Sequence, residues 1–181
     1  MDRKRDRAGR RWRWTTILAL FLAGLLLDAW LQARPGAEVD VGGRDLGYVE
    51  GFSAKETGEE GTYRWMEGQG TLRLGPVQAG RPLLLRLRMA SGRPPDFPWP
   101  QLQVEVDSRT RTSFPLAPGL SEYALLLPPE SLHNGELVVE LAVETFREVE
   151  PPNRSLGLLM DRARLEVLDG RWEGMGWTVP R

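Results

Sequence analysis

The chain has 181 residues, 41% of them hydrophobic and 27% charged, with 24 Lys plus Arg against 25 Asp plus Glu and no cysteine. The missing thiol excludes disulfides, thiolate metal centres, a cysteine nucleophile and lipid attachment through an N-terminal cysteine. Charge is unevenly spread: the first 13 residues carry a net +5, whereas beyond Ala33 there are 22 acidic and 17 basic residues, a balance that gives nucleic acid no footing.

The first predicted element is a hydrophobic helix. A basic cluster (Arg3, Lys4, Arg5, Arg7, Arg10, Arg11, Arg13) runs into WTTILALFLAGLLLDAWLQA, residues 14–33. As a helix those residues would extend about 30 Å, the thickness of a bilayer's hydrocarbon core. Trp12, Trp14 and Trp30 stand near its ends, where indole rings favour the headgroup region. The basic flank predicts a single-pass anchor in the cell membrane, N-terminus cytoplasmic and the rest extracytoplasmic, with the lipid bilayer as a partner. The unbroken apolar core, residues 17–27, is short enough to suit a cleaved signal segment. Ala33 makes a poor cleavage site, however, with Leu31 at the upstream small-residue position, so the anchor is preferred. Residues 1–13 are thus read as a cytoplasmic N-terminus, 14–33 as anchor or signal segment, 34–169 as one domain and 170–181 as a tail.

From Val39 onward short apolar alternation is punctuated by Gly, Pro, Asn and Asp, which predicts an all-β domain. Residues 83–89 place Leu83, Leu85, Leu87 and Met89 on one face and Arg86 and Arg88 on the other. Residues 102–106 (LQVEV), 123–127 and 137–143 alternate in the same way. Weaker strands are predicted at 46–52, 62–66, 71–74, 110–114 and 163–168. With turns at Gly42-Gly43, Pro128-Pro129 and Asn134-Gly135, about nine strands suit an antiparallel two-sheet β-sandwich or jelly roll. Two segments interrupt it. Residues 91–101 (SGRPPDFPWPQ) hold four prolines around Phe97 and Trp99, making a stiff loop that can present a ring at low entropic cost. Residues 170–181 (GRWEGMGWTVPR) carry Trp172, Met175 and Trp177, which either dock on the domain or await a partner.

The run GYVEGFSAKE, TYRWMEGQGTLRL, QVEVD, VVELAVETF and SLGLLMDRARLEVL across residues 47–169 resembles a galactose-binding-domain-like jelly-roll module of bacterial extracytoplasmic membrane proteins. The resemblance implies the fold rather than a particular ligand. It also implies a structural calcium of the kind such modules often carry, with Glu38, Asp40 and Asp161 as donors. No motif fixes such a site, and ordinary polar strand ends are the better reading, so no cofactor or metal is expected.

Catalytic constellations are weak. His133 is the chain's single histidine and lies in a turn, and no serine sits in a nucleophile elbow. Carboxylates are many but unpaired by any pattern, and the run Glu56, Glu59, Glu60 reads as a solvated loop. The chain is therefore read as non-catalytic. A sugar-binding face needs rings for apolar sugar faces and polar groups for hydroxyls. Tyr48, Phe97 and Trp99 supply rings; Glu50, Arg64 and Asp161 supply polar groups. Tyr63 and Trp65 share a strand face and are assigned to the core. Asp161 falls on the inward side of its strand unless a bulge near Met160 resets the register, and inward it needs a cation, Arg64 or Arg162. The expected function is a carbohydrate-binding or accessory module. The alternative is an assembly subunit that contacts another membrane protein through the anchor and tail.

Overall fold

The computed structural model describes residues 3–32, 36–147, 153–168 and 177–178. One helix, α1 (Arg3–Gln32), precedes thirteen strands. They are β1 (Gly36–Asp40), β2 (Val49–Phe52), β3 (Glu56–Gly58), β4 (Gly61–Leu74), β5 (Leu83–Ser91), β6 (Gln101–Val106), β7 (Thr110–Pro115), β8 (Ser121–Leu127), β9 (Leu137–Val143), β10 (Phe146–Arg147), β11 (Ser155–Leu156), β12 (Leu158–Val167) and β13 (Trp177–Thr178).

The helix corrects the membrane reading. Among the described residues no helix is long and apolar enough to cross a membrane. Although α1 has 30 residues, its basic run lies within the same helix. The apolar core at 17–27 rises only about 16 Å, roughly half of what a span requires. Asp28 then breaks the apolar run that the anchor reading had extended to Ala33. The single-pass anchor, and the topology and bilayer contact drawn from it, are not retained.

The β prediction fares better. Residues 137–143 form β9 with the predicted bounds, and β5, β6, β7 and β8 each extend the predicted strand by one or two residues. Their alternation is realised as burial: Leu83, Leu85, Leu87 and Met89 are buried while Leu84, Arg86 and Arg88 are half-buried. The predicted strands 62–66 and 71–74 are one strand, β4, because pairing on both edges carries the backbone through Gly68 and Gly70, residues that read as punctuation in sequence. β2 begins at Val49, which leaves Leu46 in the preceding loop.

Every pairing is antiparallel, and the main path through the large curled sheet runs β13-β8-β5-β12-β4-β9-β6-β7. Strand β4 is its corner. Residues 64–66 pair with β12 and residues 69–74 with β9. β2 pairs with β4 at Met66 as well as at Thr71 and Leu72, so it occupies the opposite edge from both β12 and β9. Glu50 faces Thr71 and Phe52 faces Met66, so two steps along β2 span five along β4, a bulge that bends the longer strand. Gly51 makes the crossing possible: it has φ of 78° and a Cβ there would lie 2.4 Å from the Gln69 carbonyl oxygen.

Met66, Leu72, Leu85, Leu102, Leu141 and Leu158 are among the fully buried residues of one continuous core drawn from both sides of that corner. Each such side chain contributes about 1.5–3 kcal/mol relative to exposure, so packing supplies the stability that cysteine cannot. The opposite faces of β4, β9, β6 and β7 are left to water.

Candidate functional site

The solvent face of β4, β9, β6 and β7 is assembled in rows by register. Thr71 faces Glu140, Glu140 faces Glu105 and Glu105 faces Arg111. In the next row Gln69 faces Ala142, Ala142 faces Gln103 and Gln103 faces Ser113. These positions point outward because their strand neighbours Leu72, Leu141, Val104 and Val106 point into the core. Ala142 is the low point. With a single methyl between them, the longer Gln69 and Gln103 side chains form walls, and the hollow between has a volume of about 380 Å³. A second hollow of about 440 Å³ adjoins it, sharing Gln69, Gln103 and Ala142 and reaching Gln101 and Glu144. Together they make a trough lined by amides, carboxylates, one hydroxyl and the Arg111 guanidinium.

Trp99 lines neither hollow and stands two residues before Gln101, which lines the second. Burial alternates back along the chain from β6, with Gln103 and Gln101 exposed, Leu102 and Pro100 buried, and Trp99 exposed again at 52%. The same outward column thus reads Trp99, Gln101, Gln103, Glu105. Its loop is pinned rather than loose. Arg93 donates to the Pro98 carbonyl at 3.2 Å and to Glu144 at 3.0 Å, and the Phe97 ring, 49% exposed, meets Phe146 edge-on with centroids 5.4 Å apart. The prolines stiffen what those contacts fix.

The other predicted site residues divide. Glu50 is in register with Thr71, one strand outside the trough in the same row, and the exposed Tyr48 accepts the Arg73 N–H through its carbonyl at 2.8 Å at the same edge. Arg64 and Asp161 are turned to internal partners. Arg64 grips Asp45, which sequence reasoning did not single out: Nε lies 2.5 Å from Oδ2, Nη2 lies 3.1 Å from Oδ1, and Nη1 donates to the Ser53 carbonyl at 2.7 Å. The Gly42 N–H donates to the same carboxylate at 2.7 Å. Burial alone would raise the Asp45 carboxyl, but the Arg64 and Gly42 hydrogen bonds and the Arg64 charge outweigh it and hold it below its ordinary 3.8.

Asp161 is buried even though the β12 register shifts between Met160 and Arg162, so the bulge is present but does not turn the carboxylate outward as the alternative reading had it. Its cation is neither Arg64 nor Arg162 but Arg88, at 2.9 Å, because β5 is the strand that lies beside the bulge. Arg88 also bonds Glu60. Only one Asp161 oxygen is so matched; Oδ1 is buried with no hydrogen-bond partner. Desolvation pushes this carboxyl above 3.8, against the pull of Arg88 and Arg162.

Tyr63 and Trp65 are half-buried beside the core rather than within it, their rings edge-to-face at 6.2 Å. Glu59 and Glu60 are exposed in the β3–β4 turn, as the solvated-loop reading has it, although Glu60 bonds Arg88, whereas Glu56 lies on β3 and pairs with Arg154. His133 is exposed in its turn. Glu38 engages Arg162 at 3.6 Å and Arg164 at 3.9 Å rather than joining Asp161, and among the described residues no three His, Cys, Asp or Glu side chains are grouped to hold a metal. In the tail, Trp172 and Met175 lie outside the described residues, while the backbone at Trp177 pairs with Leu125 of β8.

Sequence reasoning missed Gln69, Thr71, Gln103, Glu140 and Ala142. Their outward alternation was legible; what brings them side by side is a strand order that sequence does not print.

No protein-family model matches the chain, and no curated protein matches it. Solved structures with similar folds include the C-terminal CBM6 of LamC, a marine laminarinase from Zobellia galactanivorans (12% identity, TM-score 0.46, 72% of this chain and 98% of that one). Another is a GH26-CBM35 β-(1,4)-mannanase from Podospora anserina (15% identity, TM-score 0.45, 77% of this chain and 29% of that one). A third is the plant receptor-like kinase ANX1 (10% identity, TM-score 0.46, 77% of this chain and 46% of that one). With every TM-score below 0.5, these likenesses carry no argument about function, which rests on the chain's own residues.

Proposed function

We propose that the chain is a non-catalytic glycan-binding module. It consists of one β-domain, residues 34–169, with a tail at 170–181, and the bend in β4 folds the curled sheet into two facing layers of jelly-roll type. The observation that carries the reading is the trough on β4, β9 and β6. Its primary amides at Gln69, Gln101 and Gln103 each offer two donors and an acceptor, the pattern that adjacent sugar hydroxyls require. The exposed Trp99, in the pinned loop two residues before Gln101, supplies a face for stacking on a pyranose ring, and Phe97 extends that apolar surface. Glu50 and Tyr48 border the far edge. Arg64 and Asp161 are assigned to the fold rather than to ligand.

The trough does not suit bond cleavage. A general acid has to hold its proton at neutral pH, which requires burial away from cations. Glu105 and Glu140, the carboxylates that face each other across strands, stand on an open sheet face, and Glu105 is bound by Arg111. The assembly alternative is opposed by β13, whose backbone lies on β8 of its own chain.

The test is a glycan array with the intact chain, followed by titration calorimetry on the best oligosaccharide with Trp99→Ala and Gln103→Ala. Both variants are expected to weaken binding at least tenfold without altering thermal unfolding. Binding unchanged in both would place the ligand elsewhere, and release of reducing ends on incubation would refute the non-catalytic assignment.

A further inference from the structure

The loop between β5 and β6 carries Trp99 between two anchored ends. The Ser91 N–H donates to the Ala117 carbonyl at 2.7 Å, and the Leu116 N–H donates to the Pro100 carbonyl at 2.9 Å. Pro94, Pro95, Pro98 and Pro100 have no N–H to give, so the middle of the loop cannot be laced to the sheet as a strand would be. Arg93 supplies the hold instead. Its backbone N–H donates to the hydroxyl oxygen of the buried Ser91 at 3.0 Å. Its Nη1 donates at 3.2 Å to the Pro98 carbonyl, which belongs to the peptide that joins Pro98 to Trp99. Because Trp99 precedes a proline, its backbone is confined to the extended region, and a held peptide then leaves the indole little freedom beyond its side-chain torsions. The other guanidinium nitrogen, Nη2, donates to Glu144 at 3.0 Å, and Glu144 lines the second hollow with Gln101 and Gln103. One side chain thus ties the wall of that hollow to the peptide that carries Trp99, while lining neither hollow itself. It does so at a cost in free energy, because Arg93 Nε is buried with no hydrogen-bond partner. Arg64, which serves the fold, has an acceptor on Nε, Nη1 and Nη2 alike.

We infer that Arg93 is a positioning residue of the glycan site, fixing Trp99 relative to the second hollow so that stacking on the ring and hydrogen bonding to Gln101 and Gln103 act on one ligand. The assignment rests on the glycan-binding reading and deepens it. Trp99 and Gln103 stand four residues apart on extended backbone, about 13 Å, a distance that linked pyranose rings bridge and a single ring does not. Two contacts on one rigid frame raise the effective concentration of the second once the first is made. Loosening Trp99 therefore penalises an oligosaccharide and spares a monosaccharide.

The test is an NMR titration of the intact chain with the sugar that the glycan array selects, given as the monosaccharide and as its linear trisaccharide. Wild type is expected to bind the trisaccharide at least about tenfold more tightly than the monosaccharide. The trisaccharide should also shift the Trp99 indole N–H resonance, assigned by its loss in Trp99→Ala. Arg93→Met keeps the aliphatic stem and removes the fork; it should cut the trisaccharide's advantage to about twofold and leave monosaccharide affinity as in wild type. Arg93→Lys keeps the charge without the fork and should retain part of that advantage. Arg109→Met, an exposed change in the β6–β7 turn, should alter the affinity of neither ligand. An undiminished trisaccharide advantage in Arg93→Met, an equal loss for both ligands, or the same loss in Arg109→Met would overturn the inference and leave the glycan reading standing. So would a wild type with no preference for the trisaccharide. No binding of either ligand by wild type would overturn both.

Discussion

Asp45 and Asp161 are both buried aspartates, 1% and 7% exposed, and both face an arginine from a neighbouring strand. Asp45 is saturated: Arg64 engages both of its oxygens and the Gly42 N–H adds a further bond. Asp161 has Arg88 on one oxygen and nothing on the other, and it shares that arginine with Glu60. The difference follows from the backbone around each. The loop at 41–48 wraps Asp45 with its own amide, whereas Asp161 is the residue left over at a bulge, carried inward without a complementary donor. A buried carboxylate stabilises a fold only when its lone pairs are met, so two residues of the same type and burial are expected to respond to substitution in different ways.

The largest effect should come from breaking the saturated site. Asp45→Ala leaves the Arg64 guanidinium and the Gly42 amide without their acceptor and is expected to destabilise by about 3–5 kcal/mol, read from urea unfolding. Arg64→Ala should cost a similar amount, and the double variant much less than the sum of the two, because either single change already removes the pair. Additive losses would mean that Asp45 and Arg64 act independently.

Asp161→Asn is the contrasting case. It surrenders the charge on Arg88 but also removes a half-satisfied buried anion, so at neutral pH the net change should stay within about 1 kcal/mol. Its signature is in pH. Because the folded Asp161 carboxyl lies above 3.8, the native state binds its proton more readily than the unfolded chain. The penalty therefore grows as pH rises from 3.8 through the raised value and is level above it. Asp45 runs the other way: its lowered carboxyl contributes stability that is present above 3.8 and lost as pH falls below it. Unfolding measured from pH 3 to 7 should therefore show wild type losing stability relative to Asp161→Asn over the acidic range above 3.8. A constant difference would mean that Asp161 titrates like an unfolded carboxyl.

How much of this was legible depends on whether it is local. The alternation in 83–89 and 137–143 gave strands, inward faces and the outward arginines, because period-two patterning is written within one strand. The bulge near Met160 could be posed as an alternative, since the last strand's inward series conflicted with its start. Which arginine meets Asp161 could not be read, because it depends on β5 being the neighbour of β12. Asp45, in a glycine-flanked loop, gave no periodic signal at all. The trough was half legible for the same reason: Trp99 is conspicuous in its proline-rich loop, whereas Gln69, Gln103 and Glu140 are ordinary polar alternation until strand order aligns them. The helix was misjudged because 20 residues were counted where the unbroken apolar core holds 11.

At the trough the comparison becomes one between carboxylates that serve the fold and one that does not. Trp99→Ala removes an exposed ring from a loop still held by Arg93 and by the Phe97–Phe146 contact, so thermal unfolding should move by no more than about 0.5 kcal/mol in equivalent stability. Glu140→Gln should go further and stabilise slightly, by about 0.2–0.5 kcal/mol at low salt. It relieves the opposition of two like charges across β9 and β6 and breaks no ion pair among the described residues. The gain should shrink as added salt screens the pair. A loss of stability would instead mean that Glu140 holds the sheet together as Asp45 holds its loop, whereas a gain would identify it as a charge kept on the surface at the fold's expense, which is what a residue placed for a ligand should look like.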